Sequence, residues 1–243
     1  MSETEPAGRV LIIAGSDSGG GAGVQADIKA VSAMGGYAAT AITAITVQNT
    51  KGVSAIHPVP DAIIAGQIKA VLEDIGADVI KTGMLATTGV VELVADLLEA
   101  RDPPIPLVLD PVMIATSGDR LVDAETEELI RDRLVPLASL VTPNIPEAER
   151  LTGGRVENLG DQIAAAEALM ELGAKAALIK GGHLKGQVVT DVLVSTRGME
   201  IMERPRIQTR HTHGTGCTLA SAIAARLANG EALSDAGRTS GAY

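Results

Sequence analysis

Short runs of apolar residues alternate with longer stretches in which apolar positions recur every three or four residues. The first spacing is that of buried strands, the second that of amphipathic helices. Strands are predicted at Val10–Ala14, Ala38–Val47, Asp78–Lys81, Pro106–Asp110, Leu140–Thr142 and Ala176–Lys180. Helices are predicted at Val24–Met34, Ile63–Ile75, Val90–Ala100, Ala124–Leu134, Ile163–Leu172 and Leu219–Leu227. Gly35-Gly36 closes the first helix, as glycine does just past a helix C-terminus. Asp191–Ser195 and Glu200–Glu203 flank Arg197-Gly198 and read as a hairpin. Leu107-Val108-Leu109 is apolar throughout, as a strand covered on both faces must be.

This alternation predicts an α/β fold in three layers, a mainly parallel sheet with helices on both faces. No linker, low-complexity segment or internal repeat divides the chain. A single domain over 1–243 is expected, with 1–8 as a flexible N-terminus. Ligands of open α/β sheets bind beyond the carboxyl ends of the strands. Six such ends collect glycine and polar residues: Gly15–Gly23, Gln48-Asn49, Thr82-Gly83-Met84, Asp110–Gly118, Asn144–Glu147 and Lys180–His183.

Composition narrows the function. Lys and Arg number 20 against 30 Asp and Glu, a formal net charge of −10, and the chain has no Phe, no Trp and two Tyr. Little is left for a phosphate backbone or for base stacking, so nucleic acid is not the expected partner. One cysteine excludes an internal disulfide and fits a reducing compartment. The polar Met1–Gly8 has no signal-peptide pattern, and no apolar run approaches the ~20 residues of a membrane span. A cytoplasmic protein is expected. The four histidines lack metal-ligand spacing, which argues against zinc.

The densest chemistry lies in Thr212-His213-Gly214-Thr215-Gly216-Cys217, which runs into the helical Thr218–Ala225. A helix N-terminus carries unpaired N–H donors and partial positive charge, and glycine lets a ligand approach that backbone. Gly214, Thr215, Gly216 and Cys217 therefore form a candidate phosphate site. The plainer alternative is a glycine turn capping a buried helix. Cys217 at that helix start is a candidate base or nucleophile, because the dipole favours a thiolate there. Otherwise it is a small buried apolar residue.

Gly15–Gly23 follows a strand and opens a helix, yet no carboxylate ends the second strand as a dinucleotide site requires. No Gly-x-x-x-x-Gly-Lys-Ser/Thr loop occurs either. Asp27 lies one turn into the following helix, facing the loop or solvent. Gln48 offers a donor and an acceptor together, suited to a heteroaromatic ring with an amino group beside a ring nitrogen. Asp110, Asn144 and Glu147 supply oxygens suited to Mg²⁺. Asn144 with Glu147 three residues on equally spells a helix-capping box. Lys180 can place a point charge on a phosphate.

Taken in order, these segments resemble the ribokinase superfamily, and within it the bacterial hydroxymethylpyrimidine/phosphomethylpyrimidine kinases of thiamine biosynthesis. The similarity runs from Ala14–Asp27 through Thr43–Thr50, Lys81–Leu85, Asp110–Met113, Thr142–Ala148 and Lys180–His183 to Thr212–Thr218. It implies a ribokinase-like fold, ATP as co-substrate, Mg²⁺, and phosphorylation of 4-amino-5-hydroxymethyl-2-methylpyrimidine and then of its monophosphate. It places Gln48, Gly15, Asp27, Val47, Met84 and Val112 on the substrate. It places Lys180, Asn144, Glu147 and Asp110 on the nucleotide, with Asn144 and Glu147 holding magnesium through water. Gly214–Cys217 becomes the anion hole. The wider superfamily commonly has an aspartate base where this chain has Cys217. The resemblance ends near Leu227, so a shortened C-terminus and an altered adenine pocket are expected. Homodimers are common in the family. The competing readings are a pyridoxal kinase of the same superfamily and a non-catalytic pyrimidine-binding module.

Overall fold

The computed structural model describes residues 7–115, 118–207 and 213–240. One sheet of nine strands runs through the molecule. In chain order the strands are β1 (Arg9–Asp17), β2 (Tyr37–Asn49), β3 (Gly52–Pro58), β4 (Val79–Thr82), β5 (Leu107–Leu109), β6 (Leu140–Val141), β7 (Ala176–Ile179), β8 (Val188–Ser195) and β9 (Gly198–Pro205). The helices are α1 (Gly23–Ala33), α2 (Asp61–Asp74), α3 (Thr88–Glu99), α4 (Ala124–Leu129), α5 (Ile145–Thr152), α6 (Leu159–Glu171), α7 (Thr215–Ala228) and α8 (Leu233–Ser240).

The spatial order is β3-β2-β1-β4-β5-β6-β7-β8-β9. Strands β2 to β7 in that order pair parallel, while β3, β8 and β9 join antiparallel at the two edges. Strand β1 shows why the sheet needs two covers. Leu11 and Ile13 enter a core with Ile64 and Ile68 of α2, Val91 and Val94 of α3, and Leu169 of α6. Val10, Ile12 and Ala14 enter the opposite core with Val24 and Val31 of α1 and Ile223 and Ala224 of α7. Successive strand residues point to opposite faces, so a strand buried on both sides must be apolar at every position.

The predicted strands and helices are present, with boundaries moved by a few residues and three corrections of substance. Strand β1 continues through Asp17, because Ser16 and Asp17 pair with Ile45 and Thr46 beyond a register shift. The glycine loop therefore begins at Ser18 rather than Gly15. The helix over Ala124–Leu134 is regular only to Leu129, then widens at Ile130–Leu134 and tightens at Val135–Leu137. Gly8, the last residue of the expected flexible N-terminus, is held by its N–H donating to Asn229 Oδ1 at 2.8 Å, while residues 1–6 lie outside the described residues. Strand β3 and helix α8 are additions to the sequence reading, and helix α5 realises the alternative in which Asn144 and Glu147 cap a helix. Among the described residues, no helix is long and apolar enough to cross a membrane.

Candidate active site

The carboxyl ends of β1, β4, β5, β6 and β7 open onto one cleft of about 910 Å³. Helices α1 and α7 pack side by side beneath it. Each contributes a group whose position follows from where its helix starts. Helix α1 starts right after the glycine loop, so Asp27 lies one turn in, under the cleft. It is 0% exposed, which removes the reading of a solvated helix residue.

Lys81, at the end of β4, is also fully buried and sits between two carboxylates. Its Nζ lies 2.9 Å from Asp27 Oδ1 and 3.9 Å from Asp110 Oδ2. Ser221 Oγ of α7 donates to the same Asp27 oxygen at 2.7 Å. On the other side Lys180 Nζ, just past β7, contacts Asp110 Oδ1 at 3.0 Å, and Thr142 Oγ1 donates to that oxygen at 3.1 Å. The cluster thus reads Asp27, Lys81, Asp110, Lys180, with charges alternating across the strand ends. Asp27 Oδ2 and Asp110 Oδ2 are buried with no hydrogen-bond partner. A buried charged oxygen without a donor is costly, so two acceptors stand ready for ligand groups.

Burial shapes the ionisation. Burial holds the Asp27 carboxyl above its usual range, against the pull of Lys81 and Ser221. Burial alone would raise Asp110, but Lys180 and Lys81 outweigh it and hold that carboxyl below the usual range. For both lysines burial opposes the charge, and the neighbouring carboxylates overcome it and hold the ammonium groups above their usual value. Burial pushes Glu147 up to about 7.

Asn144 and Glu147 form the capping box that opens α5. The Asn144 N–H donates to Glu147 Oε2 at 2.8 Å, and the Glu147 N–H donates to Asn144 Oδ1 at 3.0 Å. The capping alternative is therefore realised, and both residues also line the cleft.

Helix α7 begins at Thr215 behind Gly214, whose φ of +80° is a left-handed conformation. A Cβ at Gly214 would lie 1.7 Å from the Gly21 carbonyl oxygen, so only glycine fits there. The turn opening α7 and the glycine loop are packed backbone on backbone. A Cβ at Gly216 would lie 3.0 Å from Lys180 Nζ, which puts the ammonium group beside the first turn of α7. No side chain caps this helix start.

Cys217 differs from the sequence expectation. The helix dipole was expected to favour a thiolate, yet burial pushes the thiol up to about 12, with Lys81 only partly opposing. The thiol is protonated at neutral pH in the ligand-free protein. Because Cys217 is the only cysteine, alkylation reports on it alone. Reaction with iodoacetamide at pH 8 is expected to run about 30- to 100-fold slower than with an exposed cysteine peptide. It should keep accelerating as pH rises toward about 12. A rate matching the peptide would overturn this assignment.

Residues 17–243 match the phosphomethylpyrimidine kinase family. This chain belongs to that family. It is 50% identical over 232 residues to the thiamine biosynthesis bifunctional protein ThiED of Geobacter sulfurreducens, covering 95% of this chain and 47% of that protein. The chain thus spans about half the length of that curated relative. The phosphomethylpyrimidine kinase of Clostridium difficile 630 has a similar structure, with a TM-score of 0.84 and 43% identity over 96% of this chain and 95% of that one. Pyridoxal kinase of Bacillus subtilis, solved as an ADP complex, gives a TM-score of 0.88 at 35% identity, over 97% and 89% of the two chains. The fold of this family member is ribokinase-like. The family match runs to residue 243, past Leu227, where the sequence reading ended it.

The cleft gathers Gly15, Asp27, Gln48, Met84, Asp110, Val112, Asn144, Glu147, Lys180 and Gly214–Cys217, all anticipated from the sequence. Val47 is the exception: it is 60% exposed and not among the cleft-lining residues, because it alternates with Thr46 and Gln48 along β2. Thr212 lies outside the described residues, as do Gln208–His211. Sequence reasoning missed Lys81, Thr142, Ser221, Asp17 and His213 as parts of the site. It also missed Asp191 on β8, which accepts the Gly181 N–H at 2.8 Å and pairs with Arg204. The signal available for Lys81 was a lysine directly after Val79 and Ile80 in a short strand.

Proposed function

We propose that this chain transfers the γ-phosphoryl group of ATP to the hydroxymethyl group of 4-amino-5-hydroxymethyl-2-methylpyrimidine, and then to the resulting monophosphate. One observation carries the reading. The first turn of α7 and Lys180 Nζ stand together at one wall of the cleft that Gln48, Met84 and Val112 also line. The pyrimidine lies between the glycine loop and Gln48, walled by Met84 and Val112. The nucleotide lies over Lys180 and Asn144. The hydroxymethyl oxygen attacks the γ-phosphorus, an O–P bond forms, the bond to the β-phosphate oxygen breaks to release ADP, and the hydroxyl proton is released to water. Such transfers need little covalent help; positioned donors around the transferring group do most of the work. The amides of Gly214–Cys217 and the Lys180 ammonium supply them. Cys217 acts as base only where bound substrate lowers its thiol from about 12.

Magnesium fits the oxygens present. Asp110 Oδ2 is a buried carboxylate oxygen without a hydrogen-bond partner, and Glu147 stands near it. Among the described residues no group of three His, Cys, Asp or Glu could hold a metal ion. Magnesium usually keeps several waters, takes one or two carboxylates and leans on substrate phosphates. Asp110 and Glu147, with Asn144 through water, would hold it, and its charge would offset that of the phosphates. The reading includes a cytoplasmic, homodimeric enzyme.

Mass analysis of the products from ATP and the pyrimidine alcohol tests the proposal: mono- and diphosphate are expected. Absence of both would defeat it. The same assay with pyridoxal addresses the more distant relatives. Gln48→Ala should lower kcat/KM for the pyrimidine roughly 5- to 150-fold, the loss of one or two neutral hydrogen bonds. An unchanged value would take Gln48 out of ring recognition.

A further inference from the structure

Asp17 and His213 lie outside every role assigned above, yet they join the two loops that the proposed reaction must hold together. Asp17 ends β1 and is almost fully buried. Its carboxylate gathers the glycine loop: Oδ1 accepts the Gly19 N–H at 2.7 Å, and Oδ2 accepts those of Gly21 and Ala22 at 3.0 and 2.8 Å. His213 Nε2 reaches the same Oδ2 at 2.9 Å. A carboxylate only accepts, so Nε2 carries the proton. The ring also lies against Gly21, where a Cβ would come 2.5 Å from His213 Cδ2. His213 directly precedes Gly214, the residue whose backbone abuts the Gly21 carbonyl.

We propose that Asp17 and His213 are a positioning pair that holds the first turn of α7 against the glycine loop, so that its amides meet the transferring phosphoryl group. The inference rests on the kinase reading. Burial would raise Asp17, but His213 and the loop amides outweigh it and hold the carboxylate ionised. Four donors converge on this one carboxylate, and only His213 comes from outside the loop. Gly214 at the N-cap makes no side-chain cap hydrogen bond, and the pair is a direct side-chain link between the residue before the helix and the glycine loop.

Steady-state kinetics and amide hydrogen exchange of Asp17→Asn, His213→Ala, His213→Gln and the Asp17→Asn/His213→Ala double variant test this. Asp17→Asn and His213→Ala should each lower kcat about 10- to 100-fold, the cost of slightly misplaced groups. Both KM values should stay within about threefold, because ground-state contacts survive. The double variant should be no worse than the poorer single, since the two act as a unit. His213→Gln keeps a donor and should recover to within about threefold of the wild type. Exchange at the Thr218 amide, which donates to the Gly214 carbonyl at 3.0 Å at the start of α7, should quicken in both single variants. Unchanged kcat in the singles, losses that multiply in the double, or unchanged exchange would overturn the proposal. If Asp17→Asn fails to fold, the two His213 variants decide. A wild type without turnover would defeat the kinase reading, while the exchange measurement would still judge the pair.

Discussion

Gly216→Asp is expected to lower kcat/KM by about 10³-fold or more while leaving the fold intact. Removing a single donor from an oxyanion-type site already costs about 10²–10³-fold. This substitution does more, because a Cβ at residue 216 stands 3.0 Å from Lys180 Nζ. A carboxylate there takes up the lysine, fills the space of the phosphoryl group and repels its charge. Stability moves the other way. An acidic group in the first turn of a helix is favourable by about 0.3–1 kcal/mol. The new carboxylate also gains Lys180 as a partner. Activity and melting temperature are therefore expected to separate, the first collapsing and the second holding or rising. Thermal unfolding beside a coupled ADP-release assay reads both. An active variant would remove the α7 amides from the mechanism.

Lys81→Met is expected to cost about 3–5 kcal/mol, the usual result of stripping one partner from a buried ion pair. In a chain of this size that lowers the melting temperature by roughly 10 °C or more. The cause is specific: Asp27 and Asp110 both face Lys81, and neither has solvent to turn to. The pH dependence gives the sign. Without the ammonium, the Asp27 carboxyl, which burial already holds above its unfolded value, rises further, while Asp110 keeps Lys180. A carboxyl raised on folding destabilises increasingly as pH climbs through its folded pKa. The gap between wild type and variant should therefore narrow on acidification from pH 8 to pH 5. A gap that widens in acid, or a variant as stable as the wild type, would show that the pair contributes no such stability. Activity should fall as well, since Asp27 and Asp110 lose their shared restraint.

How much of this was legible beforehand varies with the physical origin of each feature. Strands such as Leu107–Leu109 betray themselves because double coverage leaves no position polar. Helix α3 does so through its stripe of Val90, Val91, Val94 and Leu98 behind the Thr87 cap. Strand β3 was missed because its burial is slight and its alternation weak, so the edge pairing with β2 carries it rather than its own sequence. Helix α8 is short and packs against α7, a contact its own sequence does not announce. Among site residues, Gly214 was visible because glycine is demanded by backbone geometry, and Gly216 because it shares the same short motif. Val47 was misplaced because strand periodicity sends it to the face opposite Thr46 and Gln48.

By itself the sequence determined the layered α/β architecture, the parallel centre of the sheet and the strand ends where polar and glycine residues collect. Those follow from periodicity and backbone sterics, which act locally and leave a trace in every segment. Tertiary structure alone decided the alternating Asp27, Lys81, Asp110, Lys180 chain, the protonated thiol of Cys217, and the link from Asp17 to His213. These depend on burial and on charges brought together from distant segments. Desolvation and Coulomb energy are properties of the assembled cleft, and no local stretch of chain records them.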